Sequence, residues 1–232
     1  STQEEKVFPL IINDIKTKLI NAPENLTPLF AIEGGSVIED KPDRLEVLKK
    51  DGIKFFTLTW NGENRIAGGC KTDKDLTDFG IKFINRLNRL KIGCDLSHLN
   101  KKSFYSAIGY AEFPLATHSN CYEICSHPRN LTLEQIKLIT EKSGIIGLTF
   151  YPEFLGEDIY EKIYENIFLL CDKGYENHIA IGSDFDGGKM SESLDKTSKI
   201  PSLYGFLEEK GLGKPLLDKI FYKNAHKFIA ML

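Results

Sequence analysis

The sequence predicts an α/β fold, a (β/α)8 TIM barrel that is incomplete, with about six of its eight strands present. Three observations carry this expectation. Short apolar segments alternate with amphipathic ones of helical spacing along the chain. The apolar segments are hydrophobic on both faces, as strands of a parallel sheet covered by helices are. Polar residues gather at the C-terminal end of each of them, and in a barrel those ends meet on one face. In an open doubly wound sheet only the ends near the switch point would meet, so polar ends on every strand favour the barrel.

The elements follow in order. A helix is expected around Leu10 to Ile20, then a strand in PLFAIEGG, Pro28 to Gly35. The pair repeats as RLEVLKK then IKFFTLTW, DFGIKFINRLNRL then KIGCDLSH, and KKSFYSAIGYA then FPLATHS. It continues as LTLEQIKLITEKS then GIIGLTFY, and EDIYEKIYENIFLLC then HIAIGSDF. Thr132 with Gln135 three residues later is a capping-box start for one of these helices. Two helical segments close the chain, around Ser202 to Glu209 and Pro215 to Ala230. No linker, repeat or low-complexity tract divides it, so residues 1–232 are expected to form a single, partial barrel domain.

Composition narrows the function. A net charge of -3 over 232 residues gives no electrostatic reason to bind nucleic acid or an anionic membrane. No apolar run approaches the ~18 residues of a membrane-spanning helix, and STQEEKVF lacks the basic start of a signal peptide. The five cysteines have neither disulfide-framework nor zinc-knuckle spacing, and ordinary reduced thiols fit a reducing compartment. A soluble, cytoplasmic protein is the expectation.

The strand ends carry the chemistry. Ile32-Glu33-Gly34, Thr59-Trp60-Asn61, Asp95-Leu96-Ser97-His98, Thr117-His118-Ser119, Phe150-Tyr151 and Gly182-Ser183-Asp184-Phe185-Asp186 fall at successive ends. One histidine at a strand end is commonly a hydrogen-bonded structural residue. Glu33, His98 and His118 together are better explained as metal ligands, because imidazole and carboxylate suit zinc. In D-F-D-G, Asp186-Gly187 could simply shape the turn. Asp184 is nonetheless well placed to take a proton from metal-bound water. Asp95 and Ser97 are assigned to shaping the turn that carries His98. His127, His178 and His226 do not fall at strand ends and are expected to be structural or exposed.

AIEGG, LTLTWN, DLSHLN, THSN followed by HPRN, and IGSDFDG, in that order from about Pro28 to the C-terminus, resemble the membrane (renal-type) dipeptidase family of metallopeptidases. LTWN resembles its shorter bacterial members. The resemblance implies a barrel of the metal-dependent hydrolase type with two zinc ions, cleaving dipeptides through a metal-bridging hydroxide. It implies that Glu33 bridges the metals, that His98 and His118 ligate the second, and that Asp184 is the catalytic acid and base. Arg129 of HPRN resembles the arginine that holds the substrate's C-terminal carboxylate. Tyr151 of LTFY matches a position lining the substrate pocket.

Two departures from the pattern matter. The family's first strand carries a His-x-Asp pair for the first metal, and this sequence has no such pair, so at most one well-formed metal site is expected. Trp60-Asn61 stands where longer members place a histidine near the substrate carbonyl, and Asn61 or Asn64 could donate there instead. An incomplete barrel also leaves sheet edges unpaired. The expectation is therefore a truncated piece, or a homo-oligomer that covers the open edges. The alternative function is a non-catalytic peptide- or amino-acid-binding barrel, or a degenerate member that has lost one metal site.

Overall fold

In the computed structural model, residues 28–38 and 41–232 are described, and the helix expected around Leu10 to Ile20 lies outside them. The chain divides into two compact units, one ending at Phe113 and joined by Leu232, the other running from Pro114 to Met231.

The first unit holds β1 (Phe30–Glu33), β2 (Ile53–Thr57) and β3 (Gly93–Asp95). They pair in chain order and in parallel, in a register that sets Glu33 beside Thr57 and Thr57 beside Asp95. The crossovers are helical: α1 (Arg44–Lys50) returns the chain to β2, and α2 (Asp78–Leu90) returns it to β3. Sequence sets the bounds of α2. The Thr77 hydroxyl accepts from Gly80 N at 3.0 Å, and Lys91 closes the other end in the left-handed conformation. Its inner face buries Phe83, Ile84 and Leu87, and Phe83 meets Phe56 of β2 edge-on with ring centroids 5.1 Å apart. After β3, α3 (Lys101–Tyr110) starts at Asn100, whose side chain accepts from Ser103 N at 2.7 Å.

The second unit repeats the pattern with β4 (Pro114–Ala116), β5 (Ile145–Leu148) and β6 (Ile179–Ile181), again parallel and in chain order. Every residue of β4 and β5 is buried, which is why these strands read as apolar runs without alternation. The crossovers are α4 (Leu133–Glu141), then α5 (Pro152–Leu155) with α6 (Ile159–Asp172). The capping box is present: Gln135 N donates to Thr132 Oγ1 and Thr132 N donates to Gln135 Oε1. Thr132→Ala should therefore lower stability by about 1 kcal/mol, read as a shift in the thermal or denaturant midpoint.

Three helices end the chain: α7 (Ile200–Glu209), α8 (Lys214–Asp218) and α9 (Asn224–Ile229). The sequence predicts one helix from Pro215 to Ala230, but a π turn at Lys219–Lys223 separates α8 from α9. That turn accompanies the seating of Asn224, whose buried amide donates to the carbonyls of Glu176 and Ile179 at 2.9 and 2.8 Å. Six parallel strands with helical crossovers are the (β/α) architecture the sequence predicts. Among the described residues no helix is long and apolar enough to cross a membrane.

Candidate active site

In the first unit the site is built on the register row of Glu33, Thr57 and Asp95. Asp95 is fully buried, and its carboxylate accepts from Thr57 Oγ1 at 2.6 Å and from Ser97 N at 3.0 Å. It thereby shapes the turn that follows β3, and Ser97 takes part through its backbone N–H. His98 lies in that turn with φ of 71°, a left-handed backbone uncommon outside glycine. Such a conformation persists where its surroundings over-determine it. Here Cys70 N donates to the His98 carbonyl at 2.7 Å, and Asn100 N donates to the Gly68 carbonyl at 3.1 Å. The loop after β2 can lie this close because Gly69 has no side chain; a Cβ there would stand 2.0 Å from the Trp60 carbonyl oxygen.

The imidazole of His98 is held at both nitrogens. Nε2 lies 2.8 Å from Glu33 Oε1, and Nδ1 lies 2.9 Å from Asn61 Oδ1. Both nitrogens thus face oxygen atoms, an amide oxygen on one side and a carboxylate on the other. An imidazole nitrogen and a carboxylate oxygen 2.8 Å apart are two donors that one cation could share. Glu33 and His98 offer a carboxylate and an imidazole, donor types of the kind that hold a divalent metal ion. Asn64 is occupied within its own loop, donating to the Leu58 carbonyl and accepting from Ile66 N and Ala67 N.

In the second unit His118 follows β4, nearly buried, with Nδ1 2.7 Å from Thr117 Oγ1. Its carbonyl lies 3.5 Å from Arg129 Nη2. Arg129 is only 4% exposed, and its guanidinium lies 5.2 Å from the centroid of the Phe154 ring. Tyr151 meets the same ring edge-on at 4.8 Å, and His127 lies against it at 4.6 Å. The Phe154 carbonyl accepts from Asn130 Nδ2 at 2.6 Å and Asn120 Nδ2 at 3.2 Å, which fixes the platform. Sequence reasoning overlooked Phe154 and set His127 aside. The available signal was YPEF after β5, an aromatic pair on the first turn of a helix opened by proline.

His127 also reports on Arg129. Burial, and then the Arg129 charge, push the His127 pKa below its ordinary value, with Glu153 opposing them. A histidine whose folded pKa is depressed adds stability above the unfolded value of about 6.5 and loses it as pH falls toward the folded one. An NMR titration should give a His127 midpoint below that of free histidine. Arg129→Gln should move the midpoint part of the way back up.

Asp184 follows β6 with φ of 64°, and Asp186 has φ of 66°. Gly187 and Gly188 permit the loop to fold onto the candidate residues. A Cβ on Gly187 would come within 2.3 Å of Asp184 Oδ1, and one on Gly188 within 2.4 Å of the Tyr151 ring. His178 bonds the Gly144 carbonyl at 2.7 Å, and His226 is an exposed residue of α9. All five cysteines are free, and burial followed by the Glu123 charge pushes Cys121 up to about 12, so it remains a thiol.

Parallel strands in chain order with helical crossovers, and carboxylate and imidazole side chains at or just after their C-terminal ends, place the chain in the (β/α) class of folds. Over residues 6–231 the chain matches the membrane dipeptidase family, peptidase family M19, and it belongs to that family. An uncharacterized protein from the pqqA 5' region of Klebsiella pneumoniae is 32% identical over 209 residues, 83% of this chain and 77% of that protein. An uncharacterized dipeptidase of Schizosaccharomyces pombe is 29% identical over 94% of this chain and 56% of its own length. Among solved structures, a metallo peptidase from Rhodobacter sphaeroides, liganded with a phosphinate mimic of the dipeptide L-Ala-D-Ala, is 29% identical. It matches with a TM-score of 0.83, over 88% of this chain and 62% of that one. The chain thus spans little more than half of the yeast relative and under two thirds of the Rhodobacter enzyme.

Proposed function

We propose that this chain is a single catalytic domain that acts as a metal-dependent dipeptidase. Glu33, His98 and His118 hold zinc, Asp184 moves the proton, and Arg129, Tyr151 and Asn61 bind the dipeptide. The observation that carries this reading is the 2.8 Å approach of Glu33 Oε1 to His98 Nε2, with the other ring nitrogen committed to Asn61. Membership of the family and the likeness to an enzyme bound to a dipeptide mimic support it.

When bound, zinc supplies Lewis acidity and makes water a nucleophile near neutral pH. Asp184 accepts the proton of the attacking water and passes it to the leaving amine. Arg129 pairs with the free C-terminal carboxylate in a forked contact, which restricts cleavage to one residue from that end. Asn61 offers an amide N–H to the oxygen that becomes negative at the carbonyl. Tyr151 packs beside the substrate's side chain. The five free cysteines support a reducing, cytoplasmic setting. We also propose self-association, because strand edges that an eight-stranded barrel would close are covered when copies pair.

The test is zinc analysis together with a panel of dipeptides, including some with a C-terminal D-residue and some amidated at the C-terminus. Zinc-dependent cleavage of the free dipeptides, with the amidated ones spared, is expected. Cleavage that survives chelation, or none across the panel, would overturn the reading.

A further inference from the structure

The carboxamide of Asn61 has two ends, and the dipeptidase reading uses only its N–H. Its oxygen receives two donors: His98 Nδ1 at 2.9 Å and Cys70 Sγ at 3.3 Å. Cys70 in turn holds the His98 backbone, its own N–H reaching the His98 carbonyl at 2.7 Å. The segment that joins the two partners is closed on itself. Lys71 N donates to the Asn61 carbonyl at 3.0 Å, and Gly69 N donates to the Gly62 carbonyl at 2.9 Å. Gly69 also forms an antiparallel bridge with Leu99, next to His98. One short loop therefore grips His98 twice, by its backbone through Cys70 and by its ring through Asn61.

We propose that Asn61, steadied by Cys70, is a positioning residue for His98: its Oδ1 keeps the proton on Nδ1 and turns Nε2 toward Glu33, so the ring is set to ligate before a metal arrives. This rests on the reading of His98 as a metal ligand. The opposite arrangement, with the Asn61 NH2 donating to a bare Nδ1, would place the proton on Nε2. There it would pair with Glu33 and have to leave before a metal could bind. The Cys70 thiol, 3.3 Å from the same amide oxygen, fits the arrangement in which that oxygen faces the ring. Partners on the far nitrogen of a metal-binding histidine commonly set its tautomer and orientation in this way.

The experiment has two arms on the full chain. In the metal-free protein labelled with 15N, long-range proton–nitrogen spectra of the imidazoles should show His98 protonated at Nδ1, and Asn61→Leu should lose that fixed tautomer. A chelator-competition titration with zinc should show Asn61→Leu binding about 10- to 100-fold more weakly than wild type. Asn61→Asp, which keeps an oxygen against the ring, should retain most of the affinity. A bare Nδ1 in the wild-type protein, or unchanged zinc affinity in Asn61→Leu, would overturn the proposal. Zinc binding indifferent to His98→Ala would instead overturn the metal reading beneath it, and the Nδ1 proton of the metal-free chain would still decide the part played by Asn61.

Discussion

His98→Ala is expected to weaken zinc binding by more than about 100-fold and to remove zinc-dependent cleavage with it. Loss of an outer partner of a metal ligand typically lowers affinity 10- to 100-fold, and removal of the ligand itself should exceed that range. The His98 ring has a carboxylate 2.8 Å from one nitrogen and an amide oxygen 2.9 Å from the other, so its removal leaves Glu33 without the imidazole that faces it. Alanine also inherits a backbone with φ of 71°, which is unfavourable for any residue with a Cβ. His98→Gly separates the two effects. Both variants should lose zinc alike, whereas the glycine variant should fold more stably than the alanine one by about 1 kcal/mol. Zinc affinity retained in either variant would remove His98 from the ligand set.

Much of this was legible in the sequence because each element obeys a local rule. The strands are buried on both faces, as in Ile145–Leu148, and so appear as uninterrupted apolar runs between helices of clear periodicity. The capping box at Thr132 and Gln135 needs only residues three apart. Strand ends were legible for the same reason: Glu33, Asp95 and Asp184 stand where an apolar run stops. The residues that escaped depend on contacts distant in sequence. Phe154 matters because Arg129 and His127 lie against it, and nothing near Phe154 in the sequence announces them.

Asn61 shows the same limit more sharply. Sequence reasoning places it at the end of β2 and gives it a donor's role toward substrate. Its oxygen is recruited by His98, 37 positions away, and by Cys70, across a loop whose closure depends on Gly69. The π turn at Lys219–Lys223 is a further case. It interrupts a helix whose apolar spacing is continuous, and it is followed directly by Asn224, which donates to the carbonyls of Glu176 and Ile179. Periodicity reports which face of a helix is buried; it does not report a single buried carbonyl awaiting a donor.

Asp184→Asn should lower the turnover of dipeptides by about 100- to 10,000-fold, the range for removal of a positioned proton-transfer group, while leaving zinc affinity close to that of wild type. The substitution isolates chemistry from structure. Asparagine tolerates the left-handed backbone that Asp184 adopts, with φ of 64°, and its amide matches the carboxylate in size. Gly187 lies close by, and a Cβ there would stand 2.3 Å from Asp184 Oδ1, so a replacement of the same size is the conservative one. Asp186 supplies the control. It has the same handedness, with φ of 66°, but is exposed, and Asp186→Asn should change turnover by no more than a few-fold. If the two variants lose activity equally, the loop is sensitive to charge in general and Asp184 has no particular place in moving the proton. If Asp184→Asn also releases zinc, its role is ligation, and the proton must be carried by another group.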